Sequence, residues 1–157
     1  MATGTEAMER RAAKAKRVHG TPKATGQRVD KGKRAHFHSE AHIALVKEQP
    51  CLITRRLGRQ YVAAHHADEL FPHLISQGLK ITDFLSIPLA HEKHQGHTDS
   101  LHARNSAQWW TDNGYPPERV YRWLRWFLNR HYPSGHPGAD YALEQIAIVE
   151  RRRSQSL

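Results

Sequence analysis

Histidine is concentrated in the middle of this chain, in two groups. The first is the pair in Ala64-His65-His66. The second is the run His91-Glu92-Lys93-His94-Gln95-Gly96-His97-Thr98-Asp99-Ser100-Leu101-His102. Imidazole nitrogens suit Zn, Ni, Co or Mn, and a neutral imidazole can also take a proton from water. A fold that uses both groups must bring the end of one extended segment against a second, polar segment with an ion between them. Neighbours on a strand point to opposite sides, so His65 and His66 can serve different roles. In the second group His91, His94 and His97 recur every third residue and share one side if a helix is continuous. If Gly96 breaks it, His102 returns as the outer ligand instead of His97. Spacing leaves that choice open. His73, alone in its segment, reads as structural or exposed.

The flanking segments give an α+β expectation. Ser39 can cap a helix with Glu40 in its first turn and Ile43, Ala44 and Val46 on its apolar face, ended by Pro50. Cys51–Thr54 and Tyr61–Ala64 carry β-formers on both sides of a turn at Gly58, so the pattern predicts a hairpin with His65-His66 at its end. Residues 67–80 read as an irregular loop, and Phe84–Leu89 as a strand or an extended lead into a helix. Residues 91–104 read as a helix or a loop with a helix. Three helices follow: about 105–113, stopped by Gly114; one begun by Pro116-Pro117-Glu118; and about 140–153. In the second, Val120, Trp123, Leu124, Phe127 and Leu128 recur at i, i+3, i+4, i+7. The tryptophans read as core anchors rather than a base-stacking surface.

Charge is unevenly placed. The formal net charge is +9, and residues 1–35 hold ten Lys/Arg against three acids, so this segment carries +7 of it. With almost no large apolar side chains it cannot bury enough surface to fold alone. It reads as a disordered basic arm for a polyanion, with Arg28, Lys31, Lys33 and Arg34 among its phosphate contacts. A single cysteine, Cys51, excludes an intrachain disulfide and any zinc site built on two thiolates. No apolar run is long enough for a membrane span, and the N-terminus lacks a secretory signal pattern, so a cytoplasmic location and no membrane partner are expected.

Pro50-Cys51, Ala64-His65-His66, Asp83, Ile87-Pro88-Leu89, His94-x-Gly96, Leu101-His102 and Trp110-x-x-x-Gly114, in that order, resemble the HNH endonucleases of phage and prophage origin. The likeness covers about residues 42–115. It is nearest to the branch holding the RecA-dependent, recombination-enhancing phage nucleases and related uncharacterised phage domains. It implies a ββα-metal core over residues 36–115, preceded by the arm at 1–35 and followed by a C-terminal helical extension at 116–157. It also implies one divalent metal ion (Mg, Mn, Zn or Ni), held by His65, His94 and His102, with His97 as competitor to His102. His66 matches the general base, Asp83 a residue that orients a histidine or the loop, and Lys93 or Arg104 a contact to the scissile phosphate. The implied activity is metal-dependent hydrolysis of DNA, single- or double-stranded, in phage recombination or processing within a bacterial host. A recombinase filament is a further implied partner.

The chain departs from that pattern in three places. Thr54 and Ala90 stand where many relatives have cysteines, so no structural zinc is expected. Lys93 precedes His94 where many relatives have a second histidine. These departures motivate an alternative: a non-catalytic nucleic-acid-binding protein that retains a degenerate HNH fold.

Overall fold

Ser39 fixes the start of the first helix by two bonds. Its Oγ accepts the His42 N–H at 3.1 Å, capping helix α1 (Glu40–Lys47), and its own N–H donates to Asp83 Oδ2 at 2.8 Å. In this computed structural model the described residues are 37–76, 81–95, 98–104 and 106–157. The arm expected at 1–35 lies outside them, with Arg28, Lys31, Lys33 and Arg34, and so do Gly96, His97 and Asn105.

The chain is α+β. Strand β1 (Val62–His66) pairs antiparallel with β2 (Ser86–Ala90), in register Val62↔Ala90 to His66↔Ser86. Between them run a 3₁₀ turn (Asp68–Leu70), the one-turn helix α2 (Pro72–Ile75) and a second 3₁₀ turn (Asp83–Leu85). After β2 come two further one-turn helices, α3 (His91–His94) and α4 (Leu101–Arg104). Then follow α5 (Ala107–Asp112), α6 (Pro117–His131) and α7 (Pro137–Gln155).

The hairpin expected between Cys51–Thr54 and Tyr61–Ala64 is corrected: the partner of β1 is β2. Cys51 spends its main-chain groups locally, its N–H on Arg56 O at 2.9 Å and its carbonyl on Arg55 N–H at 3.0 Å. Arg55 has φ of +64°, which turns the segment back on itself. A segment closed this way does not run alongside β1, and its Leu52 reaches β2 instead. Pro88 fits the middle of β2 because its carbonyl faces away from β1, accepting Leu52 N–H at 3.1 Å. In a strand a residue's N and O share a side, so the N–H that proline lacks is not needed by β1.

One apolar cluster joins the sheet to the C-terminal helices. Phe71, Leu85, Ile87 and Leu89 lie in it with Trp110, Tyr121, Leu124, Leu128, Ala142 and Ile146, all buried. Trp109 and Trp110 are buried, whereas Trp126 is half exposed. Helix α5 is shorter than the sequence suggests, and Gly114 follows it with φ of +75°, the left-handed stop that glycine adopts freely. Helix α7 begins at Pro137 rather than near Asp140, because Pro137 presets the helical φ and His136 Nδ1 accepts the Ala139 N–H at 3.2 Å. In α1 the buried residues are His42 and Val46, so a histidine takes part of the apolar face expected of Ile43 and Ala44. Among the described residues no helix is long and apolar enough to cross a membrane.

Candidate metal centre

Strand alternation separates the histidine pair. His65 is turned inward, its side chain 5% exposed, while that of His66 is 42% exposed. Helix α3 starts directly after β2, where His91 N–H donates to Tyr61 O at 2.9 Å, so the first histidines of the second cluster are carried to the end of the sheet. The ring of His94 lies 5.0 Å from that of His65, and the ring of His102, on α4, lies 4.4 Å from His94 and 5.9 Å from His65. One nitrogen from each of the three rings lies within 4.8 Å of the others.

Two carboxylates complete the surroundings. One ligand atom each from His65, Asp68 and Glu69 also lies within 4.8 Å of the others. Glu69 is almost wholly enclosed, its side chain 1% exposed. It accepts His65 Nε2 at 3.0 and 3.2 Å and the Trp110 indole N–H at 2.7 Å. Burial alone would raise its pKa, but the hydrogen bond and charge of His65, with the indole donor, outweigh it and hold the carboxyl below its usual range. Asp68 goes the other way. Burial and the neighbouring Glu69 raise its pKa, as expected for an acid crowded by a second acid.

These residues fit a divalent ion. His94 Nδ1 is buried without a hydrogen-bond partner among the described residues, an arrangement that costs free energy unless something bonds to that nitrogen. Burial, followed by the charges of His65 and His102, lowers the His94 pKa to about 4, so the ring is neutral at ordinary pH with a lone pair to give. Nitrogens bound to one ion at about 2.1 Å sit roughly 3.4 Å apart in tetrahedral geometry, a small contraction from the present spacing.

On the outer side of β1, His66 Nε2 is 2.7 Å from Asp83 Oδ1. Burial pushes the Asp83 pKa up, but the bonds from His66 and from Ser39 N–H outweigh it and lower the pKa. Asp83 therefore acts as an ionised acceptor on both the histidine and the cap of α1. The other sequence candidates lie elsewhere. Lys93 Nζ donates to Asn113 Oδ1 at 3.2 Å, and Arg104 pairs with Asp99 at 3.0 Å on the surface. His73 is buried, with Nε2 2.8 Å from Gln145 Oε1.

Asp68 and Glu69 lie in the segment 67–80, whose sequence pattern marks a loop and singles out neither acid as a ligand. Two acids three and four residues after His65 were the available signal. The C-terminal helices hold that loop by three bonds: Trp110 of α5 to Glu69, Tyr121 of α6 to Leu70 O at 2.8 Å, and Gln145 of α7 to His73. No family model matches the chain, and neither the curated proteins nor the solved structures contain a match to it.

Proposed function

We propose that this protein is a metal-dependent endonuclease that hydrolyses phosphodiester bonds in DNA, with β1, β2 and the α3–α4 segment as a ββα-type metal core. The observation that carries the reading is the division of labour on β1: His65 faces His94 and His102, while the adjacent His66 faces Asp83. His65, His94 and His102 would hold a divalent ion, with Asp68 and Glu69 beside them. When bound, such an ion supplies Lewis-acid stabilisation of charge on the phosphate and the leaving oxygen.

The chain's own contribution is proton handling. Because Asp83 is an ionised acceptor, the shared proton belongs to His66 Nε2. That leaves Nδ1 as the basic nitrogen, able to take a proton from an attacking water. Asp83 then stabilises the imidazolium that forms and keeps the ring from turning, while Ser39 N–H keeps Asp83 in place.

The second reading, a non-catalytic nucleic-acid binder of the same shape, is favoured by one observation. Lys93 and Arg104, the cations expected at the scissile phosphate, are engaged with Asn113 and Asp99. Plasmid nicking in Mg, Mn, Ni or Zn separates the two. The wild type should cleave and His66→Ala should fall by roughly 10²–10⁴-fold, the usual loss on removing a general base. Equal cleavage by both proteins would remove His66 from its role. DNA binding with no cleavage in any metal would select the second reading.

A further inference from the structure

Helix α6 buries one face in the core through Val120, Tyr121, Leu124, Phe127 and Leu128. Its outward side carries Arg122, Trp126 and Arg130 at i, i+4 and i+8, with Arg125 and Asn129 beside them, and these five residues line one shallow surface depression. Residues at this spacing stack along one side of a helix, here over about 12 Å.

One feature sets this stripe apart from an ordinary solvated face. Trp126 is 52% exposed, although Trp109 and Trp110 are both buried. Of the arginines lining the depression, Arg125 pairs with Glu150, whereas Arg122 and Arg130 make no hydrogen bond or ion pair among the described residues. The stripe therefore presents two available guanidinium groups with an indole between them.

We propose that this face binds single-stranded DNA, with Arg122 and Arg130 on backbone phosphates and Trp126 stacked on an unpaired base. Guanidinium matches phosphate in charge and in bidentate geometry, and an indole offers a flat partner to any base. Base faces in a duplex are covered by their neighbours, so a stacking side chain selects an unpaired strand. At about 3.4 Å per nucleotide of a stacked strand, the stripe spans three or four nucleotides. The inference rests on the reading of this chain as a protein that acts on DNA, and it names the form of DNA.

The test is binding of the full chain to a labelled oligonucleotide, as a single strand and as its duplex, followed by fluorescence anisotropy in a metal chelator over a salt series. Trp126→Ala should weaken the single strand by about tenfold and leave the duplex unchanged. Arg122→Gln with Arg130→Gln should reduce the single-strand salt slope by roughly 1.4, or about 0.7 for each phosphate that is no longer neutralised. All three side chains project outward, and far-UV circular dichroism of each variant checks that the fold is kept. Trp126→Ala losses that are equal on both forms, or absent on both, would overturn the proposal. Absence on both is also the result expected if the stripe serves an acidic protein instead. Chelation separates this outcome from catalysis: a failed stripe leaves the His66→Ala cleavage comparison standing, and absent cleavage leaves this binding comparison standing.

Discussion

Glu69→Gln tests whether the enclosed carboxylate tunes the candidate metal centre or merely fills space. Glutamine keeps the volume and an acceptor for the Trp110 indole, now 2.7 Å from Glu69 Oε1, but removes the charge that faces His65 Nε2 at 3.0 Å. A carboxylate accepting one imidazole N–H fixes the ring and makes the other nitrogen a better donor to an ion; losing such a partner typically weakens metal binding 10–100-fold. Hydrogen bonds to a charged group contribute about 1.5–3 kcal/mol against about 0.5–1.5 for neutral ones. The difference of roughly 1–1.5 kcal/mol corresponds to about a tenfold rise in metal Kd. Calorimetric titration with Ni or Zn reads this directly. Metal-free stability gives an independent sign. The folded pKa of Glu69 is depressed, so its ionisation stabilises the fold above the ordinary carboxylate pKa, and that contribution is lost as pH falls through the folded value. The variant should therefore be less stable than the wild type at neutral pH, with the gap closing on acidification. An unchanged metal Kd in Glu69→Gln would refute the assignment of Glu69 to the centre.

Two further outcomes follow from residues away from the centre. His42 is fully buried, with Nδ1 2.7 Å from Tyr132 Oη, and burial, outweighing the opposing pull of Asp83, lowers its pKa to about 4. Its contribution is present above the unfolded pKa near 6.5 and is lost as pH falls towards 4. Denaturant unfolding should show the wild type losing roughly 3 kcal/mol more than His42→Gln over that range. Gly138→Ala should lower Tm although alanine favours helices by about 1 kcal/mol. A Cβ there would stand 2.7 Å from Phe84 Cδ2 and Cζ, and Phe84 is only 4% exposed, so overpacking of about 1–3 kcal/mol decides the sign. A raised Tm in thermal denaturation would show that Phe84 yields freely.

Helix α6 was legible because its apolar residues repeat with the helix itself, and local chemistry alone marks its start at Pro117. The cap at Ser39 and the stop at Gly114 were legible for the same reason: each acts through bonds to its immediate neighbours. The strand pairing was not. Cys51–Thr54 has the composition of a strand, but a residue of positive φ at Arg55 closes it into a turn, and composition does not report φ. The tryptophans follow the periodicity. Trp109 and Trp110 are buried as core anchors, and Trp126, which falls outside the apolar repeat of α6, is exposed.

By itself the sequence determined which histidines could serve a metal centre, because donor chemistry is a property of the residue, and the alternation of a strand already parted His65 from His66. Which donors meet was decided by the tertiary structure. His102, on α4, comes within reach of His65 and His94, while His97 lies outside the described residues. Asp68 and Glu69 enter because the connection after β1 folds back and is held there by Trp110, Tyr121 and Gln145 from three later helices. Convergence of that kind depends on contacts between residues far apart in the chain, and no local pattern encodes the distance across which they meet.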